Sequence, residues 1–161
     1  VGQLGAYVAL QISKGRQLTV IAFDGKTLAA DKQCTAAGHA STVTKIFKVP
    51  GGMVGFMGNG GHAAALLNWF RDGRDPDKWP KKDGDDSAGV IFISDDGKLY
   101  GYSGDDGPHA IEYEDAFTAW GAGRDYALAA MYLGKNAREA VEVACALDTT
   151  CGMGIDTLEL V

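Results

Sequence analysis

Residues 18–31 constrain the chain most. Val20, Ile21 and Phe23 favour an extended strand, Asp24-Gly25 is a hairpin-turn pair, and Leu28-Ala29-Ala30 returns apolar. Folding this segment back carries the Thr19 hydroxyl toward the Asp31 carboxylate. Loop length decides how close they come, because side chains alternate faces along a strand. A two-residue loop at Asp24-Gly25 pairs Thr19 with Ala30. A three-residue loop, Asp24-Gly25-Lys26, pairs Thr19 with Asp31 on one face. A threonine near an acid, with Lys45 downstream, is a nucleophile constellation, and it needs the second register.

Further strands are expected at residues 45–49, where Lys45-Ile46-Phe47-Lys48-Val49 alternates, and at residues 53–57, after the Pro50-Gly51-Gly52 turn. Gly58-Asn59-Gly60-Gly61 leads into a buried helix over residues 62–70. Residues 71–86 hold six Asp and five Lys or Arg with two prolines, and read as a solvated loop within the domain. Strands follow at residues 89–94 and 98–103 around an Asp95-Asp96-Gly97 turn, then at 111–113 and 117–120. Gly121-Ala122-Gly123 opens a helix that Gly134 closes. Asn136 and Glu139 form an approximate capping box for the last helix, whose apolar face is Ala140, Val141, Val143, Ala144 and Leu147. Asp148 ends it, and residues 151–161 return as a strand. Residues 34–44, small and polar, read as a loop or irregular strand. Residues 1–18 fit either a short helix or an extra strand. Strands, one helix, strands, two helices and a final strand suit an α+β layered domain.

The 161 residues are enough for one domain with a real core. At 46% hydrophobic and 22% charged, with no long apolar run, the chain lacks a membrane span. A net charge of −6 argues against a nucleic-acid surface. No basic-then-apolar leader precedes the hairpin, and a start at Val1 points to processing or truncation. Three cysteines without CxxC spacing (Cys34, Cys145, Cys151) fit a reducing, cytoplasmic compartment. His39, His62 and His109 are scattered without metal-ligand spacing, so neither a metal nor a cofactor is expected.

Five ordered segments resemble the proteasome β-subunit family and its bacterial homologues among the N-terminal-nucleophile hydrolases. They are Asp24-Gly25-x-x-Leu28-Ala29-Ala30-Asp31-x-x-x-Thr35, Lys45-Ile46-Phe47, Gly55-Phe56-Met57-Gly58, Gly121-x-Gly123-x-x-Tyr126-Ala127 and Asp148-Thr149-Thr150-Cys151-Gly152. The resemblance implies a four-layer αββα sandwich over residues 19–161, preceded by an extension or propeptide over residues 1–18. It implies a threonine-type peptidase in a self-compartmentalising homo-oligomeric ring, acting on unfolded polypeptide, with an ATPase unfoldase as a partner. Thr19 would be the nucleophile. Its own α-amine would act as base, Lys45 would lower the hydroxyl's effective pKa by its charge, and Asp31 would hold the lysine. The Gly55 N–H would stabilise the oxyanion. Asp148 and Cys151 would orient the amine, Cys34 and Thr35 would border the substrate strand, and Met53 and Met57 would line an apolar specificity pocket.

The sequence departs from that family in three ways: the residues ahead of Thr19, the short hairpin between Thr19 and Asp31, and the residues at 122 and 151. Thr19 has eighteen residues ahead of it, so its nitrogen is an amide until the Leu18–Thr19 bond is cut, and Leu18 stands where glycine is usual. Ala122 and Cys151 stand where serines are common, and a thiol is a weak donor. If the bond stays intact, the same features describe a non-catalytic shell or assembly protein. Residue by residue the plainer alternatives are ordinary: Thr19 as a strand former, Asp31 and Lys45 as an ion pair, the methionines as core. Gly58-x-Gly60-Gly61 is a weak phosphate-cradle signal, as no Lys-Ser/Thr follows it.

Overall fold

The computed structural model describes residues 18–82, 84, 86–103 and 107–161; of the segment at residues 1–18 read as helix or strand, all but Leu18 lies outside them. The first hairpin joins β1 (Val20–Phe23) to β2 (Thr27–Asp31). Its register is neither of the two expected: Ile21 faces Ala30 and Phe23 faces Leu28. The turn lies one residue later, because the Asp24 N–H donates to the Thr27 carbonyl at 3.2 Å. The Asp24 carboxylate locks it there. One oxygen accepts the N–H groups of Lys26 and Thr27, and the other accepts that of Ala137. Continued to the end of the hairpin, this register sets Asp31 opposite Val20, one position past Thr19.

Two sheets carry the domain. In the first, β1 and β2 lie between β10 (Thr118–Gly121) and β11 (Ile155–Glu159), in the order β10-β1-β2-β11. The second runs in chain order through β5 (Ile46–Val49), β6 (Gly52–Gly58), β7 (Ala88–Ser94), β8 (Leu99–Ser103) and β9 (His109–Tyr113). All of these pairings are antiparallel. The segment read as loop or irregular strand is a separate exposed hairpin of β3 (Gln33–Ala36) and β4 (His39–Thr42). Ala37 and Gly38, both with positive φ (49° and 77°), form its two-residue turn.

Strand alternation sorts the apolar residues into separate cores. Ile21, Phe23, Leu28 and Ala30 pack against Ile46, Met53, Ile91 and Ile93, closing the first sheet on the second. On its other face, Val20, Ala22 and Ala29 meet α2 (Arg124–Tyr132) and α3 (Ala137–Leu147) through Ala127, Ala130, Ala140, Val141 and Ala144. Val54, Phe56, Val90 and Phe92 of the second sheet meet Leu66, Leu67, Trp69 and Phe70 of α1 (Gly60–Arg71). The capping box of Asn136 and Glu139 is formed at the start of α3. Gly134, at φ +93°, ends the α2 turn with its N–H on the Met131 carbonyl. The result is a mixed α+β architecture with antiparallel sheets.

Residues 71–82 are exposed or half-buried throughout, as the solvated-loop reading expects. A short 3-10 turn at Pro76–Lys78 delivers Trp79 edge-on to Trp69 at 4.9 Å, and Trp69 donates its indole N–H to the Asp75 carbonyl at 2.7 Å. The half-buried Trp79 is thus anchored within an otherwise exposed charged run. Among the described residues, no helix is long and apolar enough to cross a membrane.

Candidate active site

Thr19 sits directly before β1, Asp31 ends β2, and Lys45 directly precedes β5, so both sheets contribute to one point. The Thr19 hydroxyl donates to Asp31 Oδ1 at 2.9 Å. Lys45 Nζ donates to Thr19 Oγ1 and to Asp31 Oδ1, both at 2.6 Å. Thr19 is 2% exposed, Asp31 0% and Lys45 8%. A carboxylate taken that far from water must be fully partnered. Asp31 is: Oδ1 also accepts the Val20 N–H, and Oδ2 accepts the N–H groups of Gln33 and Gly152. The diagonal reach of its side chain thus compensates for the shifted hairpin register, and the three expected groups meet.

The oxyanion donor requires a correction. Gly55 lies inside β6, between Ile46 of β5 and Ile91 of β7. The Phe56 N–H donates to the Lys45 carbonyl at 2.9 Å, and the Asn59 N–H donates to that of Ser87 at 3.1 Å. Because N–H directions alternate along a strand, residues 55, 57 and 59 point toward β7, and residues 56 and 58 toward the β5 side. The Gly55 N–H is therefore spent in the ladder. Gly58 is the residue whose N–H points to the Lys45 side beyond the end of β5, where no strand among the described residues faces it. Gly58 has φ +94°, and a Cβ there would stand 2.5 Å from the Ser87 carbonyl oxygen, so only glycine fits.

Asp148 and Cys151 are not joined to Thr19 by any hydrogen bond among the described residues. Asp148 caps α3, and its Oδ1 accepts the N–H and hydroxyl of Thr150 at 2.8 and 2.6 Å, so the carboxylate serves its own turn. Cys151 is buried in the core under α2 and α3. Burial, with the Asp31 charge second, pushes its thiol up to about 12, and the same causes in the same order push Cys145 to about 11. What the turn does give the site is a backbone donor, the Gly152 N–H on Asp31 at 3.0 Å.

A cleft of about 430 Å³ opens beside Thr19. Its wall is apolar: Phe47, Phe56 and Met57 from the second sheet face Ala63, Ala64 and Leu67 of α1. Its lining also carries the polar residues Thr19, Lys45, Gln33, Thr35 and Asn59. Cys34, Thr35 and Met57 border it. Met53 does not; it is wholly buried between the sheets. Phe47, Phe56, Ala63, Ala64 and Leu67 were not expected. Phe47 could have been read from sequence, since it lies two residues from Lys45 on an alternating strand.

The floor of the site is held from a third side. A Cβ on Gly121, which has φ +91°, would stand 2.2 Å from the Thr19 carbonyl oxygen, and the Gly123 N–H donates to that oxygen at 3.2 Å. The Gly121-x-Gly123 pair thus clasps the backbone of Thr19.

No protein-family model and no curated protein matches the sequence. Among solved structures, Thiobacillus denitrificans BPH in complex with epoxomicin aligns with a TM-score of 0.66 at 20% identity, covering 89% of this chain and 99% of that one. Thiobacillus denitrificans BPH without that compound aligns with a TM-score of 0.65 at 19% identity, covering 89% of this chain and 98% of that one. At such identities the likeness is one of fold.

Proposed function

We propose that this chain is a threonine-type peptidase of the proteasome β-subunit-like, N-terminal-nucleophile kind, built as a four-layer αββα sandwich and assembled into a homo-oligomeric ring. The observation that carries this is the buried hydroxyl of Thr19, 2.6 Å from Lys45 Nζ and 2.9 Å from Asp31, in the lining of a mostly apolar cleft. Water added across the Leu18–Thr19 bond would free the α-amine, whose reference pKa is about 8, near the operating range of a general base. In the reaction, Thr19 Oγ1 bonds to the substrate carbonyl carbon and passes its proton to that amine. The Lys45 charge stabilises the developing alkoxide, and the Gly58 N–H donates to the oxyanion. The amine then returns the proton to the leaving nitrogen, the C–N bond breaks, and water hydrolyses the ester to regenerate Thr19. The apolar wall favours a large apolar side chain beside the scissile bond.

A non-catalytic, unprocessed shell is the second reading. It is favoured by Asp148 turning its carboxylate to Thr150, away from Thr19. Intact mass separates the two. A species beginning at Thr19, gaining the mass of epoxomicin (the compound bound by its fold neighbour) in wild type and not in Thr19→Ala, supports the peptidase. An uncut chain without an adduct supports the shell.

A further inference from the structure

The turn after α3 is gripped by a side chain that the reaction described above leaves unused. Gln33, half-buried at the start of β3, touches that turn at two points. Its Nε2 donates to the Thr149 carbonyl at 3.3 Å and to Thr35 Oγ1 at 3.4 Å. Its Oε1 lies over Gly152, where a Cβ would stand 3.1 Å from it. A carbonyl can only accept, so the NH2 group of the amide must be the one facing Thr149. The backbone of the same residue reaches Asp31. The Gln33 N–H donates to Oδ2 at 3.2 Å, and the Gly152 N–H donates to that same oxygen at 3.0 Å. Gln33 thus joins the carboxylate, the Gly152 donor and the far side of the turn that carries it. The turn needs outside support. Met153 is held at φ 61°, a conformation that costs a non-glycine residue free energy and persists only where neighbours enforce it. The neighbours are Lys32, whose N–H is shared by the Gly152 and Gly154 carbonyls at 3.0 and 3.1 Å, and Gln33.

We propose that Gln33 is a positioning residue: its side-chain amide clamps residues 149–152 so that the Gly152 N–H stays on Asp31 Oδ2, and thereby sets the angle of the carboxylate that holds Lys45 and Thr19. The χ2 torsion of an aspartate is soft, so the groups bonded to its oxygens fix its rotation. The carboxylate is planar, and its two oxygens turn together. Oδ1 takes the Thr19 hydroxyl, Lys45 Nζ and the Val20 N–H, while Oδ2 takes the two donors that Gln33 supplies or steadies. Loosening the Oδ2 side therefore misaims the Oδ1 side, as the loss of an outer hydrogen bond misaims a ligand. The clamp stands on its own geometry; its consequence for turnover rests on the peptidase reading.

The test is amide hydrogen exchange read residue by residue in the full chain and in three variants. Gln33→Met keeps the length of the side chain without a donor, Gln33→Glu keeps its shape with acceptors only, and Gln33→Lys keeps a donor. Protection of the Gly152 amide is expected to fall about five-fold in the first two, the scale of one hydrogen bond, and to be largely kept in the third. Two amides of the same turn are internal controls. The Thr150 N–H is held by Asp148 Oδ1 and the Cys151 N–H by the Asp148 carbonyl, so neither depends on Gln33, and both are expected to stay as in wild type. Unchanged Gly152 protection in Gln33→Met and Gln33→Glu overturns the clamp. So does an equal loss at Gly152, Thr150 and Cys151, which is the signature of general loosening. Exchange needs no turnover, so an inert wild type counts against the peptidase reading and leaves this result intact. In an active chain, Gln33→Met should lower kcat more than it changes KM, and Gln33→Lys should recover it.

Discussion

At the residue scale, the site depends on a single carboxylate. Asp31 accepts five donors, so removing it strands Lys45 and three backbone N–H groups in a buried place. Asp31→Ala is expected to lower stability by about 3–5 kcal/mol in denaturant unfolding, as for other broken buried pairs. Lys45→Met removes the charge beside Thr19 but keeps the volume. Single-turnover hydrolysis is expected to fall about 10²–10³-fold, the range for a lost oxyanion-type donor. The two raised thiols set a pH limit. Cys145 and Cys151 are held neutral in the fold to about 11 and 12, against an ordinary 9.0. Their contribution is fully present below about 9 and is lost as pH climbs toward those values, because only the unfolded chain ionises there. Tm should fall between pH 9 and 11, and less steeply in a Cys145→Ala, Cys151→Ala variant. Thr19, Asp31 and Lys45 were legible in the sequence because their chemistry is distinctive and each lies at the end of a readable strand. Gly58 was not. Choosing it over Gly55 requires the phase of the N–H alternation, which the β5 pairing fixes and glycine content cannot.

At the element scale, strands and helices were legible wherever periodicity and caps agreed. The capping box on α3 is one such case, and Asn136→Ala is expected to cost about 1 kcal/mol by thermal or denaturant melting. Hairpin register was not legible, because Asp24 is claimed twice, by its own turn and by the first N–H of α3. That second partner lies 113 residues away, and no local turn rule contains it. The β3–β4 hairpin was read as irregular because its residues are polar and exposed, leaving no hydrophobic alternation to count. The link from β10 to α2 has its own test. Gly121→Ala puts a Cβ where the Thr19 carbonyl stands and forces a side chain onto positive φ. It is expected to destabilise by more than about 1 kcal/mol and to suppress any adduct at Thr19 more than it lowers Tm.

At the scale of the whole molecule, two sheets closed by helices were legible as a class from element order, while the depth at which Thr19 lies was not. Burial of that hydroxyl depends on both sheets and on the turn after α3. If the chain assembles as its sequence resemblance implies, sedimentation should give a particle several times the mass of one chain. The same measurement on Thr19→Ala tells whether assembly needs the nucleophile. The Gly152 donor to Asp31 lies 121 residues downstream of it and arrives only when nearly all of both sheets has been synthesised. A nascent chain therefore holds Asp31 without its full set of donors until the turn after α3 has been made. Under the proposed peptidase reading, the order of synthesis would delay any cleavage, that of the Leu18–Thr19 bond included, until the fold around Asp31 is closed.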